Sequence, residues 1–340
     1  MRAAVTTGPN AMRVVDAPEP AAPGPGELLV RPEAVGLCGS DFHYFHGHLG
    51  GVEYPRVQGH EFSAIVEVVG DGCAASFTPG QRVAVWPLSA CGECHACTIG
   101  RENACERMSL IGIHRDGALQ QRLTVPAAQT LAVDGLDARL TAFIEPTSIA
   151  VRTVVRGRVA AGERVLVLGA GPIGQAVAIA SLDRGAAVLV ADRIESRLEF
   201  ARAYGCEVAV MAPGEDIAAR ARAWAGGEAP EVVVEATGAA EPMRLAVDAV
   251  AQAGRVVVVA LSAHEVPVRV GNLAFRELDV LGVSVCTAVE FAEAAALVKR
   301  WEHAVAPLLT HDYALEDAPE AIAYASRNPS EVMKAVVHLP

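Results

Sequence analysis

The sequence lacks a basic excess, a long apolar run and an evenly spread cysteine framework, and each absence removes a class of function. Its 28 Lys and Arg against 40 Asp and Glu leave a formal charge of −12, so there is no basic face from which to argue nucleic-acid binding. No run of about 18 uncharged apolar residues occurs, and no membrane span or membrane partner is expected. The opening MRAAVTTGPN has neither the apolar core nor the small-residue cleavage site of a secretory signal. Repeats at solenoid periods are missing as well. What remains, 340 residues with 52% hydrophobic and 20% charged side chains, is a soluble globular chain large enough for two domains.

The eight cysteines are uneven. Cys38, Cys73, Cys206 and Cys286 are scattered, whereas Cys91, Cys94, Cys97 and Cys105 form C-x2-C-x2-C-x7-C. A disulfide scaffold would be short and cysteine-dense throughout. Four thiolates at this spacing suit tetrahedral zinc, and four protein ligands close the shell, so the metal here is structural. His95 lies inside the loop and is read as solvent-facing. Reduced thiols point to a cytoplasmic protein.

Up to about residue 145 the pattern is β-rich, with short apolar runs such as 64–69 and 82–86 broken by Gly and Pro. From Gly162 strands alternate with helices: strands at 164–168, 187–191, 232–235, 256–261 and 278–285, helices at 172–184, 195–204 and 242–250. That rhythm predicts an α/β fold with a doubly wound parallel sheet. A helix from about residue 287 and a strand at 335–339 close the chain.

Within the second half, Gly169-Ala170-Gly171-Pro172-Ile173-Gly174 follows an apolar strand and opens a helix, and Asp192 ends the next strand. This is the dinucleotide arrangement: the glycines admit a pyrophosphate to the helix N-terminus, where unpaired N–H groups and the dipole favour an anion. Asp192 would accept from the ribose hydroxyls and repel a 2′-phosphate, which favours NAD. Arg193 and Arg197 leave NADP open, or stack on adenine, or begin a solvated helix.

A second constellation is discontinuous: Cys38 in GLCGSD, His60 and Glu61 in GHE, and Glu145 in IEPTS. Thiolate, imidazole and carboxylate with one exchangeable position describe a catalytic zinc, the second zinc per chain. Adjacent residues of a regular strand point to opposite faces, so His60 and Glu61 share an ion only if the chain turns at Gly59.

Taken in order, GLCGSD, GHE, the four-cysteine lobe, IEP and GAGPIG resemble the zinc-containing medium-chain alcohol dehydrogenases. The resemblance implies a GroES-like β-barrel catalytic domain (1–147), a Rossmann domain (148–286) and a segment completing the catalytic domain (287–340), with the active site in the cleft between domains. It implies hydride transfer between NAD and a secondary alcohol or its ketone, and a homodimer or homotetramer. Glu145 in IEP, where simple-alcohol enzymes carry cysteine, looks like the sorbitol, sugar-acid and threonine dehydrogenase branch. There Glu61 and Glu145 would hold zinc directly or through water, and Ser40 and His43 would relay the proton outward. Tyr44 would touch the polyol, and His114 in IGIHRDG would line the pocket. Two departures bear on substrate: Ser284 or Val285 stands where polyol enzymes carry an arginine, and Gly117-Ala118-Leu119 replaces their Gly-Gly-Phe. A threonine-type substrate and a zinc or redox sensor on the same fold are the alternatives.

Overall fold

In ELLVRPEAVG buried and part-exposed residues alternate up to Ala34, and these ten residues form the strand Glu27–Gly36, whose last three residues are all buried. The computed structural model describes residues 1–73, 75–262 and 265–340. Its contacts divide the chain into two units, Met1–Glu145 with Thr287–Pro340, and Pro146–Cys286.

In the first unit Glu27–Gly36 is central to a seven-stranded sheet. It pairs antiparallel with Glu61–Val69 on one side and with Leu123–Pro126 and the last strand, Lys334–His338, on the other. The register with Glu61–Val69 slips between Pro32 and Ala34, as expected where proline removes a ladder donor. The C-terminal strand is therefore an integral neighbour of the strand that leads into GLCGSD. The core of this unit gathers Leu28, Val30, Val35, Phe62, Val66, Leu119 and Val337.

The second unit is a six-stranded parallel sheet in the order Glu207–Val210, Ala187–Asp192, Arg164–Leu168, Val232–Glu235, Arg255–Val258, Asp279–Gly282. Its inner strands bury both faces, and VVVE of Val232–Glu235 is buried along its whole length. The chain reverses its direction of travel at Arg164–Leu168, which makes the ends of that strand and Val232–Glu235 the switch point where such sheets bind ligands. The last two strands are shorter than their sequence pattern suggests, 255–258 and 279–282 rather than 256–261 and 278–285. Their mutual ladder runs from Arg255↔Asp279 to Val258↔Gly282, and just beyond it single backbone bonds continue, from Val259 to the Glu235 carbonyl and from Val283 to that of Val258. Among the described residues no helix is long and apolar enough to cross a membrane.

Candidate active site

The four-cysteine lobe is folded for a metal. The sulfurs of Cys91, Cys94, Cys97 and Cys105 all lie within 4.8 Å of one another. Cys94–Cys97, Cys91–Cys97 and Cys94–Cys105 stand at 3.5, 3.9 and 3.9 Å; a zinc tetrahedron with bonds of about 2.3 Å has edges of about 3.8 Å. Backbone N–H groups of Cys94, Cys91 and Arg107 aim at these sulfurs. The N–H groups of Glu93 and Cys94 pull the Cys91 thiol down to about 6, while burial and the neighbouring sulfurs push Cys97 up to about 12. Four thiolates cannot ionise together in one lobe unless a cation compensates them, and a closed dication site does so.

The second set also converges. Cys38 precedes the helix Gly39–Phe45 as its N-cap, His60 stands just before the strand Glu61–Val69, and Glu61 opens it. Gly59 adopts φ 98°, the left-handed turn that only glycine takes without strain. That turn brings both neighbours to one place: one ligand atom each of Cys38, His60 and Glu61 lies within 4.8 Å of the others. The turn is backed by the 112–119 loop, whose Gly117, Ala118 and Leu119 N–H groups donate to the carbonyls of Val57, Gly59 and Gln58. The departure from Gly-Gly-Phe thus falls on backbone that supports the metal-ligand turn.

Two residues that sequence reasoning left without a role organise this set. Asp41 is buried; its Oδ2 accepts the Cys38 N–H at 2.9 Å and its Oδ1 stands 3.9 Å from His60 Nδ1. Gln58 Nε2 donates to the Asp41 carboxylate at 3.1 Å and to its carbonyl at 3.0 Å, and Thr6 Oγ1 donates to Gln58 Oε1 at 2.6 Å. A buried chain Thr6–Gln58–Asp41 therefore stands behind the imidazole, whose Nδ1 faces the Asp41 carboxylate without a hydrogen bond to it. Burial pushes the Asp41 carboxyl up, against the pull of His60 and the Cys38 N–H. Burial acts to lower the His60 ring, yet Asp41, Cys38 and Glu145 hold it above its ordinary value. The signal for Asp41 was present in GLCGSD, three residues after Cys38.

The remaining expectations divide. Ser40 Oγ is 3.4 Å from His60 Nε2. His43 follows three residues on, on the same side of that helix, and is exposed. Glu145 is buried in the first turn of the helix Ile144–Arg156 but is not one of the three mutually close ligand residues. Its place is set by the helix rather than by the ligand turn. Burial pushes its carboxyl up to about 7, with His60 opposing. Tyr44, one residue after His43, lies on the inner side of the helix Gly39–Phe45. It is buried, its ring packs on Tyr54 at 4.7 Å, and its one proton is donated to the Glu53 carbonyl at 2.7 Å. His114 is exposed, and its Nδ1 accepts the Leu110 N–H at 3.0 Å, so one ring nitrogen is committed to its own turn.

In the second unit Gly174 is required by close approach, since a Cβ there would lie 1.9 Å from the Gly169 carbonyl oxygen. The helix Pro172–Asp183 starts behind Gly171 with proline in its first turn and no side-chain cap, leaving its first N–H groups for a phosphate. Ile173 is half-buried in that turn. Asp192 Oδ2 accepts the Ala170 N–H at 2.6 Å and Oδ1 the Ile194 N–H at 2.8 Å, so the carboxylate also ties the glycine loop to the second strand. Arg197 reaches over the loop, its Nη1 3.6 Å from where a Gly171 Cβ would stand; Arg193 is exposed. Val285 takes φ 46°, a costly backbone for a β-branched residue; it is one of the two positions, with Ser284, where the arginine of polyol enzymes is expected.

Residues 24–135 match the alcohol dehydrogenase GroES-like domain and residues 172–300 the zinc-binding dehydrogenase domain. The chain is 38% identical to L-galactonate-5-dehydrogenase of Escherichia coli K12 over 93% of its own length and 92% of that protein. It is 35% identical to human sorbitol dehydrogenase, over 93% and 90%. A solved alcohol dehydrogenase of Escherichia coli CFT073 complexed with NADH superimposes with a TM-score of 0.90, at 28% identity over 99% of both chains. Sequence and fold agree that the chain belongs to the zinc-binding alcohol dehydrogenase family, in its polyol and sugar-acid branch.

Proposed function

We propose that the protein transfers hydride between NAD and a secondary hydroxyl of a polyol, sugar or sugar acid. The observation that carries this is the convergence of Cys38, His60 and Glu61 behind the Gly59 turn, a donor set with the chemistry of an open zinc site. Zinc held there supplies Lewis-acid polarisation of the substrate hydroxyl. The chain does the rest. Asp41, held by Gln58, sets a negative charge behind His60. Ser40 takes the hydroxyl proton and His43 carries it to solvent, a route supported by the Ser40–His60 proximity and the exposure of His43. The helix N-terminus at Gly171–Gly174 holds the pyrophosphate, and Asp192 with Arg197 frames the adenosine ribose.

The catalytic work belongs to residues 1–147 with 287–340, and nucleotide binding to 148–286. The reduced thiols that the four-cysteine site needs support a cytoplasmic location. The edge strand Asp279–Gly282, which carries the exposed Val280, and the exposed apolar side chains Leu261, Val270 and Phe275 of the same unit support a homodimer or homotetramer, because unpaired edges and exposed apolar side chains favour association.

Steady-state kinetics with polyols, aldonic acids, threonine and simple secondary alcohols test the reading. The highest kcat/KM should fall on a polyol or sugar acid with NAD; a preference for threonine or an unsubstituted alcohol would refute the substrate class.

Cofactor choice is a separate test. Asp192→Ser should cost NAD at least about tenfold in kcat/KM, about 1.4 kcal/mol, and improve NADP relative to it. A wild type that already prefers NADP tenfold would refute the role given to Asp192.

A further inference from the structure

Only two of the 28 basic side chains are lysines, Lys299 and Lys334. Lys299 is exposed on a helix, but Lys334 is 3% exposed, and its ammonium is ion-paired with the Glu61 carboxylate, itself 1% exposed. An ammonium buried this deeply needs a specific anionic partner, because desolvation costs several kcal/mol per ion. The pair is built by three strands. Gly36 on the central strand is registered against Glu61 on one side and Val336 on the other. Lys334, two residues before Val336, shares its face of the sheet.

The flanking strands stand about 10 Å apart, two strand spacings, and the side chains meet over the intervening residue. That residue must lack a side chain: a Cβ on Gly36 would lie 2.4 Å from Glu61 Oε2 and 3.0 Å from Lys334 Cε. A compact ammonium on a four-carbon stem fits such a slot; a guanidinium brings five donors that a dry pocket would leave unmatched. This accounts for lysine here in a chain whose one other lysine is the exposed Lys299. Lys334 also feels the charges of Cys38 and Glu145.

Resting on the zinc reading of the Cys38–His60–Glu61 set, we propose that Lys334 is the positioning residue of the open metal site. Its ammonium takes Oε2 of Glu61 across Gly36 and so presents the other oxygen to the metal from a fixed direction. Glu61 is thereby a one-oxygen ligand, and the C-terminal strand completes the site without touching substrate.

The test uses holoenzyme with zinc kept in the four-cysteine site and cobalt(II) exchanged into the open one. Lys334→Gln should change the position and intensity of the cobalt visible bands, because Glu61 is freed to rotate or chelate with both oxygens. Retention of zinc against a chelator should fall at least tenfold. Gly36→Ala, which displaces the carboxylate while keeping the lysine, should do the same. Wild-type bands and retention in either folded variant would overturn the proposal, leaving Lys334 as a counter-charge only. A wild-type protein that takes up no cobalt beyond the four-cysteine site would instead overturn the zinc-site reading itself.

Discussion

Glu145→Gln is expected to lower turnover roughly 100-fold while leaving NAD affinity near wild type. The carboxylate is buried in the first turn of the helix Ile144–Arg156, outside the three mutually close ligand residues, yet its charge acts on His60, Glu61 and Lys334. If it completes the zinc shell, or holds the fourth ligand in place, a neutral amide of the same shape removes that charge and keeps the packing. Nucleotide binding depends on Gly171–Gly174 and Asp192 and is not touched by the change. The rival role is local: a carboxylate near a helix N-terminus contributes about 0.3–1 kcal/mol through the dipole, which would show in stability and not in rate. Turnover, zinc content and NAD affinity measured on the one variant separate the two. Near-normal turnover with zinc retained would remove Glu145 from the active site.

Cys94→Ser should act on the fold instead of on the chemistry. Its sulfur is 3.5 Å from Cys97 and 3.9 Å from Cys105, so its loss opens a closed tetrahedron. Structural zinc sites in small peptides bind with about 10–16 kcal/mol, comparable with the whole stability of a typical domain, about 5–15 kcal/mol. Losing even a third of that should lower the melting temperature by roughly 10 °C in a chain of this size. Metal analysis should fall from two zinc ions per chain to one, while the folded fraction keeps its turnover per catalytic zinc. Two zinc ions and an unchanged melting temperature would show that the lobe does not depend on its fourth thiolate.

Local signals carried the parts of this protein whose meaning is local. The cysteine spacing 91–94–97–105 brings four sulfurs together because the lobe is one short segment, so sequence distance and spatial distance nearly coincide. The glycine pattern 169–171–174 is legible for the same reason: strand, turn and helix are consecutive, and the contact that demands Gly174 is with Gly169, five residues away. The apolar runs of the parallel sheet declare themselves because both faces are buried.

The catalytic set is different. Its residue types could be nominated from the sequence, and the need for a turn at Gly59 could be argued, but which side chains stand together depends on strand register. Glu61 opens a strand that pairs with Glu27–Gly36, and only the registration of Lys334–His338 on the far side of that strand places an ammonium against it. Gln58 and Asp41 meet over 17 residues, and Thr6 joins from 52 residues away; no periodicity records such pairings. Tyr44 shows the same dependence: packing against Tyr54 and a hydrogen bond to the Glu53 carbonyl fix where its ring sits, and its hydroxyl oxygen keeps its acceptor lone pairs. Composition and spacing determined the class of chemistry, because ligand types and turn residues are properties of short segments. The register of three strands around Gly36 decided which charges stand together beside the candidate metal site, because long-range pairing leaves no local trace.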